Sequence, residues 1–176
     1  MAPMTRRPLF DPTDVETFRD QLGRYDWHLL RSSPVHRVDT SAELRVAADR
    51  LAELGYVVHR LAGAAWRTRD DVHAALAAAL SFPGYYGHNL DALNDCLRDV
   101  AEFEYGGDPA ATGTVLVIDD GDRLVAIDPG FAHALLDGYA GAAHYAALLG
   151  HPMLCLIATT AELAPVGARP VPTERP

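Results

Sequence analysis

Three short apolar runs, at residues 56–61, 114–118 and 153–158, are separated by stretches with helical patterning. Strands kept apart by helices cannot close as hairpins, so they are expected to lie parallel in a small sheet covered by helices. From residue 56 onward the order reads strand, helix, helix, strand, helix, strand. The predicted fold class is therefore α/β.

The intervening helices carry their own start and stop signals. Thr68 followed by Asp71 resembles a capping box with Asp in place of Glu, and Val72, Ala75, Leu76, Ala79 and Leu80 recur at helical spacing. This predicts a helix over about 69–81, stopped by Pro83. Asn89 is a credible N-cap for a second helix, from about 90 to 100. Residues 102–113 read as a polar loop, and residues 119–122 as the cap on the end of the middle strand. After Pro129 a helix over about 131–149 stops at Gly150, with Gly138 and Gly141 each weakening it by about 1 kcal/mol relative to Ala.

Residues 1–12 are expected to be disordered, and 13–54 form an extension ahead of the domain at 55–160. In that extension Val15, Phe18 and Leu22 mark one face of a short helix over 14–23. Residues 27–30 and 35–38 flank Arg31-Ser32-Ser33-Pro34 in a pattern that suggests a hairpin. Ser41 is the expected N-cap of a helix that buries Leu44, Ala47, Ala48 and Leu51 and ends at Gly55. Residues 161–176 are Pro-rich and expected to be a disordered tail.

The chain has 15 Lys and Arg against 24 Asp and Glu, a net charge of −9. That argues against a general nucleic-acid or anionic-membrane surface and suits a basic partner. The two cysteines, Cys96 and Cys155, stand far apart in apolar surroundings and read as reduced, buried thiols of a cytoplasmic protein. No run approaches the roughly 18 apolar residues of a membrane span, and residues 1–12 lack an apolar signal core. No GxGxxG or P-loop is present, and no cofactor is expected.

Residues 82–97 carry the strongest functional signal. Gly84 and Gly87 permit positive φ in a shaped loop that contains Tyr85 and Tyr86. Adjacent tyrosines with polar tips are a composition enriched at protein interfaces. At about 100° per residue, Leu90, Leu93, Cys96, Leu97 and Val100 fall on one side of the following helix. Asp91, Asp95, Arg98 and Asp99 fall on the other. The aspartates are spaced four apart, a like-charge pattern that costs roughly 0.2–0.5 kcal/mol per pair. Stability explains such a row poorly; it is either a solvated face with Arg98 as partial neutraliser, or a binding surface.

This stretch resembles the signature of the barstar family, small intracellular inhibitors of secreted guanyl-specific ribonucleases. The pattern P-x-Y-Y-G-x-N-L-D-A-L-x-D is met at Pro83, Tyr85, Tyr86, Gly87, Asn89, Leu90, Asp91, Ala92, Leu93 and Asp95. The resemblance implies a three-stranded parallel sheet with helices, and a loop and helix that plug a ribonuclease active site. Asp95 would be the central anion, with Asp91 its neighbour one turn earlier. The implied contact set is Tyr85, Gly87, His88, Asn89, Asp91, Asn94, Asp95 and Asp99. The implied partner is a basic ribonuclease or nuclease toxin. Asn94 stands where the best-known member of the family has an aromatic, Val100 where another aromatic is expected, and His88 in place of an acidic residue. An acidic contact that the resemblance implies on the long helix is missing around His144. These departures bear on partner choice.

Other readings stay open on the residues alone. One is a binding module of the same fold with a different partner. A carboxylate-pair hydrolase would use Asp91 and Asp95, but both would sit on an exposed helix with no evident pocket. A metal site from His88, Asp91 and Asp95 has acceptable spacing, yet neither HExxH nor CxxC is present. The histidines at 59, 73, 133, 144 and 151 read as surface or core residues.

Overall fold

The computed structural model describes residues 9–167 and 169–176. The elements are α1 (Val15–Leu22), α2 (Tyr25–Leu30), β1 (Val35–Val38), α3 (Ser41–Glu53) and β2 (Tyr56–Ala62), then a 3₁₀ turn at Gly63–Ala65. There follow α4 (Arg69–Leu80), α5 (Leu90–Ala101), β3 (Gly113–Asp119), α6 (Gly121–Ile127), α7 (Pro129–Leu148) and β4 (Met153–Ala158). All strand pairings are parallel, in the order β1-β4-β3-β2.

The sheet therefore has four strands rather than the expected three. β1 comes from the extension and pairs with β4, from Val35 opposite Cys155 to Val38 opposite Ala158. The physical reason lies in β4: all six of its residues are buried, so its outer edge needs a covered partner. The expected hairpin is also absent. Residues 27–30 belong to α2, and the backbone bonds Arg31 N to Trp27 O (3.1 Å) and Ser33 N to Leu29 O (3.1 Å) close its last turn.

The sheet is covered on both sides. One face, with Leu116, Ile118, Cys155 and Ile157, packs against α4, α5, α6 and α7. The other, with Val115, Val117, Leu154 and Leu156, packs against α2 and α3. A strand buried on both faces has no polar side to alternate with, hence its continuous apolar run. Both cysteines are free thiols in this interior.

Helix ends follow local chemistry, with corrections of detail. Thr40, not Ser41, caps α3; its hydroxyl accepts from Glu43 N–H and Glu43 accepts from Thr40 N–H, a complete capping box. Ser41 donates instead to Asp119 Oδ1 at 2.5 Å. The Thr68–Asp71 box at α4 is present as expected. α6 was not expected: Asp122 opens its first turn and accepts from Thr159 Oγ1 (2.6 Å) and Thr160 N–H (3.0 Å), tying α6 to the end of β4.

The extension is bound to the domain through a buried carboxylate. Asp26 is fully buried, receives both Arg24 Nε (3.0 Å) and Nη2 (2.8 Å), and accepts from Tyr56 Oη of β2 at 3.0 Å. Of the segment expected to be disordered, residues 1–8 lie outside the described residues. Beyond them Gln21 donates to Leu9 O at 3.0 Å, and Phe10 packs edge-on against Trp27. The C-terminal tail, also expected to be disordered, lies alongside β1. Arg37 N–H donates to Pro172 O (2.8 Å) and Glu174 N–H donates to Arg37 O (2.7 Å).

Two stability outcomes follow from this packing. Asp26→Ala removes the carboxylate shared by Arg24 and the Tyr56 hydroxyl and is expected to cost about 1.5–3 kcal/mol in urea unfolding. An added Cβ at Gly141 meets nothing within 4 Å, so Gly141→Ala is expected to gain up to about 1 kcal/mol. At Gly138 the same Cβ meets Asn94 Oδ1, so Gly138→Ala is expected to show no such gain.

Candidate functional site

α4 ends at Ser81, whose left-handed φ of 59° turns the chain two residues before Pro83. Tyr86 N–H then donates to Pro83 O at 3.0 Å and closes a tight turn. The two tyrosines part here: Tyr86 is 8% exposed and Tyr85 is 80% exposed. The Tyr86 ring packs edge-on against Phe82 (4.9 Å) and His73 (5.7 Å). Its hydroxyl lies 2.5 Å from His73 Nδ1.

The protonation states on this contact are consistent. Burial pushes the Tyr86 phenol well above its ordinary value, so it remains a donor. Burial, and then the neighbouring His88, hold His73 below the ordinary histidine range, so it stays neutral. Tyr86 O–H thus donates to His73 Nδ1, which leaves the imidazole proton on Nε2.

Between this turn and the helix sits His88, with φ of 50°. Neither Gly84 nor Gly87 has a positive φ; the left-handed residue of the loop is His88, which costs roughly 1–2 kcal/mol in a non-glycine. Its ring stacks on His73 at 6.0 Å and tilts against Tyr86 at 5.1 Å, with Nδ1 3.4 Å from Asp70 Oδ1. Asn89 caps α5: Oδ1 accepts from Ala92 N–H (2.9 Å) and Nδ2 donates to Gly87 O (3.2 Å). A Cβ at Gly87 would press to 3.0 Å from that amide, so glycine here keeps the cap intact.

α5 buries Leu93, Cys96, Leu97, Val100 and Ala101. Burial raises the Cys96 thiol's pKa, which keeps it protonated and inert. Asp91 and Asp95 are exposed on the opposite side, and neither has a hydrogen bond or ion pair among the described residues. Asp99 differs, being half-buried and accepting from Tyr105 Oη at 2.8 Å. Burial, then bonds to Cys96 and Asp99, push Tyr105 upward and keep it a hydroxyl. Arg98 does not neutralise the row; its guanidinium lies 5.9 Å over the Tyr145 ring of α7, and Tyr145 Oη donates to Glu102 at 2.6 Å.

Asn94 is exposed but its side chain covers Gly138 of α7. Val100 is completely buried, so this position offers no surface for partner choice. His88, Asn89 and Asp91 line an open cleft of about 700 Å³ that is completed by residues the sequence reading did not include. These include Arg69 and Asp70 at the start of α4, and Phe131 at the start of α7. The sequence signals for them were the capping box at Thr68, which places Arg69 and Asp70 in the first turn of a helix, and Pro129, which places Phe131 at the start of another. Among the described residues no group of three His, Cys, Asp or Glu side chains converges to hold a metal ion. Nor is any helix among them long and apolar enough to cross a membrane.

The family model described as barstar (barnase inhibitor) matches residues 56–158. The match begins on the first residue of β2 and ends on the last of β4, so it contains the loop and α5 and omits the extension and the tail. It spans more than half of the 176 residues. The chain belongs to the barstar family, and residues 1–55 are an N-terminal extension outside the matched domain.

Proposed function

We propose that this chain is an inhibitory binding protein that blocks the active site of a basic ribonuclease or nuclease toxin. Residues 85–99 form its contact face. The observation that carries this reading is the pair of exposed carboxylates, Asp91 and Asp95, one turn apart and without a cation of their own among the described residues. The helix beneath them is fixed by five buried residues.

A phosphodiester-cleaving enzyme gathers Arg and Lys groups around the phosphate. Fixed carboxylates satisfy those groups through charge-assisted hydrogen bonds. Because the helix is anchored, little side-chain and backbone freedom remains to be lost on binding. Tyr85 adds a large exposed aromatic beside the carboxylates, and the net charge of −9 accelerates encounter with a basic partner. The family match supports an inhibitor, which acts by occupancy and needs neither metal nor cofactor. In the cytoplasm of a cell that makes such a nuclease, it serves as an immunity factor.

Within the face the contributions are unequal. Asp95 is the central anion and Asp91 its neighbour, with Gly87, His88 and Asn89 shaping the approach. Asp99 contributes less because Tyr105 already occupies it. Asn94 presents an amide where the best-known member of the family has an aromatic, which narrows the range of nucleases accepted.

A pull-down from the native cell is expected to recover a basic nuclease with the wild-type chain and to lose it with Asp95→Ala. On the purified pair, Asp95→Ala is expected to cost about 2–5 kcal/mol of binding energy, and Asp99→Ala distinctly less. Equal recovery by wild type and Asp95→Ala rules out this face. Recovery of a partner that is not a nuclease rules out the nuclease and retains the fold as a binding module. The association rate is expected to fall as salt rises, and a rate indifferent to salt rules out electrostatic steering.

A further inference from the structure

β1 is an edge strand, and the tail is what covers it. Arg37 and Thr173 are bridge partners in parallel sense, and among the described residues two backbone hydrogen bonds join the strands. Pro170, Pro172 and Pro176 have no N–H to offer, so the ladder cannot grow further. The Arg37 guanidinium adds bonds to Thr173 Oγ1 at 3.1 and 2.9 Å, and also reaches Asp39 at 3.3 Å. Val171 packs against the core and Arg169 donates to Ser32 O at 3.4 Å, so it is residues 172–176 that depend on this short ladder and can open locally.

The adjacent residue, His36, is fully buried and points to the α2 and α3 side. Its Nε2 lies 2.7 Å from Ser33 O and 3.1 Å from Leu29 O. Carbonyl oxygens only accept, so the Nε2 proton is fixed in place. In the neutral ring Nδ1 is then a bare lone pair. It is buried, has no hydrogen-bond partner, and faces Glu174 Oε1 of the tail at 3.4 Å. Two acceptors face each other across that gap.

The other ionisable groups on this side do not relieve the mismatch. Tyr25 of α2 is pushed up to about 12, by burial first and then by the Glu174 charge, and so stays neutral. Arg50 of α3 sits 4.1 Å over the Tyr25 ring. Arg37 is engaged with Thr173 and Asp39.

We propose that His36 is a proton-operated latch for the C-terminal tail: protonation at Nδ1 turns the contact with Glu174 into a charge-assisted hydrogen bond and clamps the tail on the β1 edge. Proton uptake gives Nδ1 the N–H it lacks and supplies Glu174 with a cation. Burial is the largest effect and holds His36 below the ordinary histidine range, while two backbone bonds and Glu174 raise it; detaching the tail removes the Glu174 contribution, so the docked state binds the proton more tightly and the latch tightens as pH falls. With the ring neutral, the contact between His36 and Glu174 makes no hydrogen bond. This inference is independent of the nuclease reading, because the latch lies wholly in segments outside the matched domain.

The test is amide hydrogen exchange on the full chain near pH 5.5 and pH 7.5, corrected for intrinsic rates. Protection of the Glu174 and Arg37 amides is expected to rise severalfold at the lower pH, in proportion to the extra proton binding of the docked state. Val117 and Leu156, in the central strands, report any change in global stability. Glu174→Gln removes the charge from an end segment without touching the core and is expected to abolish the rise. The ¹⁵N signals of the His36 ring are expected to show Nδ1 gaining a proton while Nε2 keeps its own. Equal protection at both pH values, or an unchanged rise in Glu174→Gln, overturns the proposal.

Discussion

The short contact between the Tyr86 hydroxyl and His73 organises the exposed face. Because Tyr86 turns inward, Tyr85 is forced outward, and the backbone bond of Tyr86 to Pro83 sets the direction in which the chain leaves the turn. His88 can then adopt its left-handed conformation against two aromatic neighbours, and Asn89 arrives in place to cap α5. A neutral imidazole and a neutral phenol make this bond without an ion in the interior, which avoids the desolvation cost of a buried charge. Remove it, and a segment with two glycines and little else buried would have to hold the same shape.

The acidic helix shows a related balance. Asp91 lies in the first turn, where the helix dipole favours a negative charge; Asp95 is a turn too late to benefit. Repulsion between them is small beside the roughly 1.5–3 kcal/mol that each buried leucine contributes, so Leu93 and Leu97 hold the helix in spite of it. Asp99 escapes the problem by accepting from Tyr105. A row that is uniform in sequence is therefore two free carboxylates and one engaged one.

Much of this was legible in residue order, and the failures have physical causes. The boxes and caps at Thr68 and Asn89, and the apolar stripe of α5, are local features of a few residues and were read correctly. The strand at 35–38 was expected, but as one arm of a hairpin; its true partner β4 lies more than a hundred positions later, beyond any local signal. α2 was mistaken for a strand because Trp27, Leu29 and Leu30 form a short apolar run, and the bond that ties Asp26 to the domain comes from Tyr56, thirty residues later. α6 was missed because its N-cap position, Asp120, is left-handed and makes no side-chain cap bond. The facing direction of the aspartates followed from the 100° projection. The engagement of Asp99 and the burial of the Val100 side chain against the loop after α5 did not, since the residues that cause them, Tyr105 and Gly106, sit in a loop without periodicity.

The position of β4 has a consequence for where the unit of folding ends. The family match stops at Ala158 and starts at Tyr56, a boundary that looks like a natural place to cut. A chain trimmed there would place Met153–Ala158, an entirely apolar strand, on the rim of its sheet with an open row of amides and carbonyls. It would also lose Arg24 and Asp26, the latter a buried carboxylate that accepts from the Tyr56 hydroxyl. The inherited segment and the autonomous body are thus different objects in this chain: the first is bounded by descent, the second by whichever residues keep that rim from sticking to another molecule.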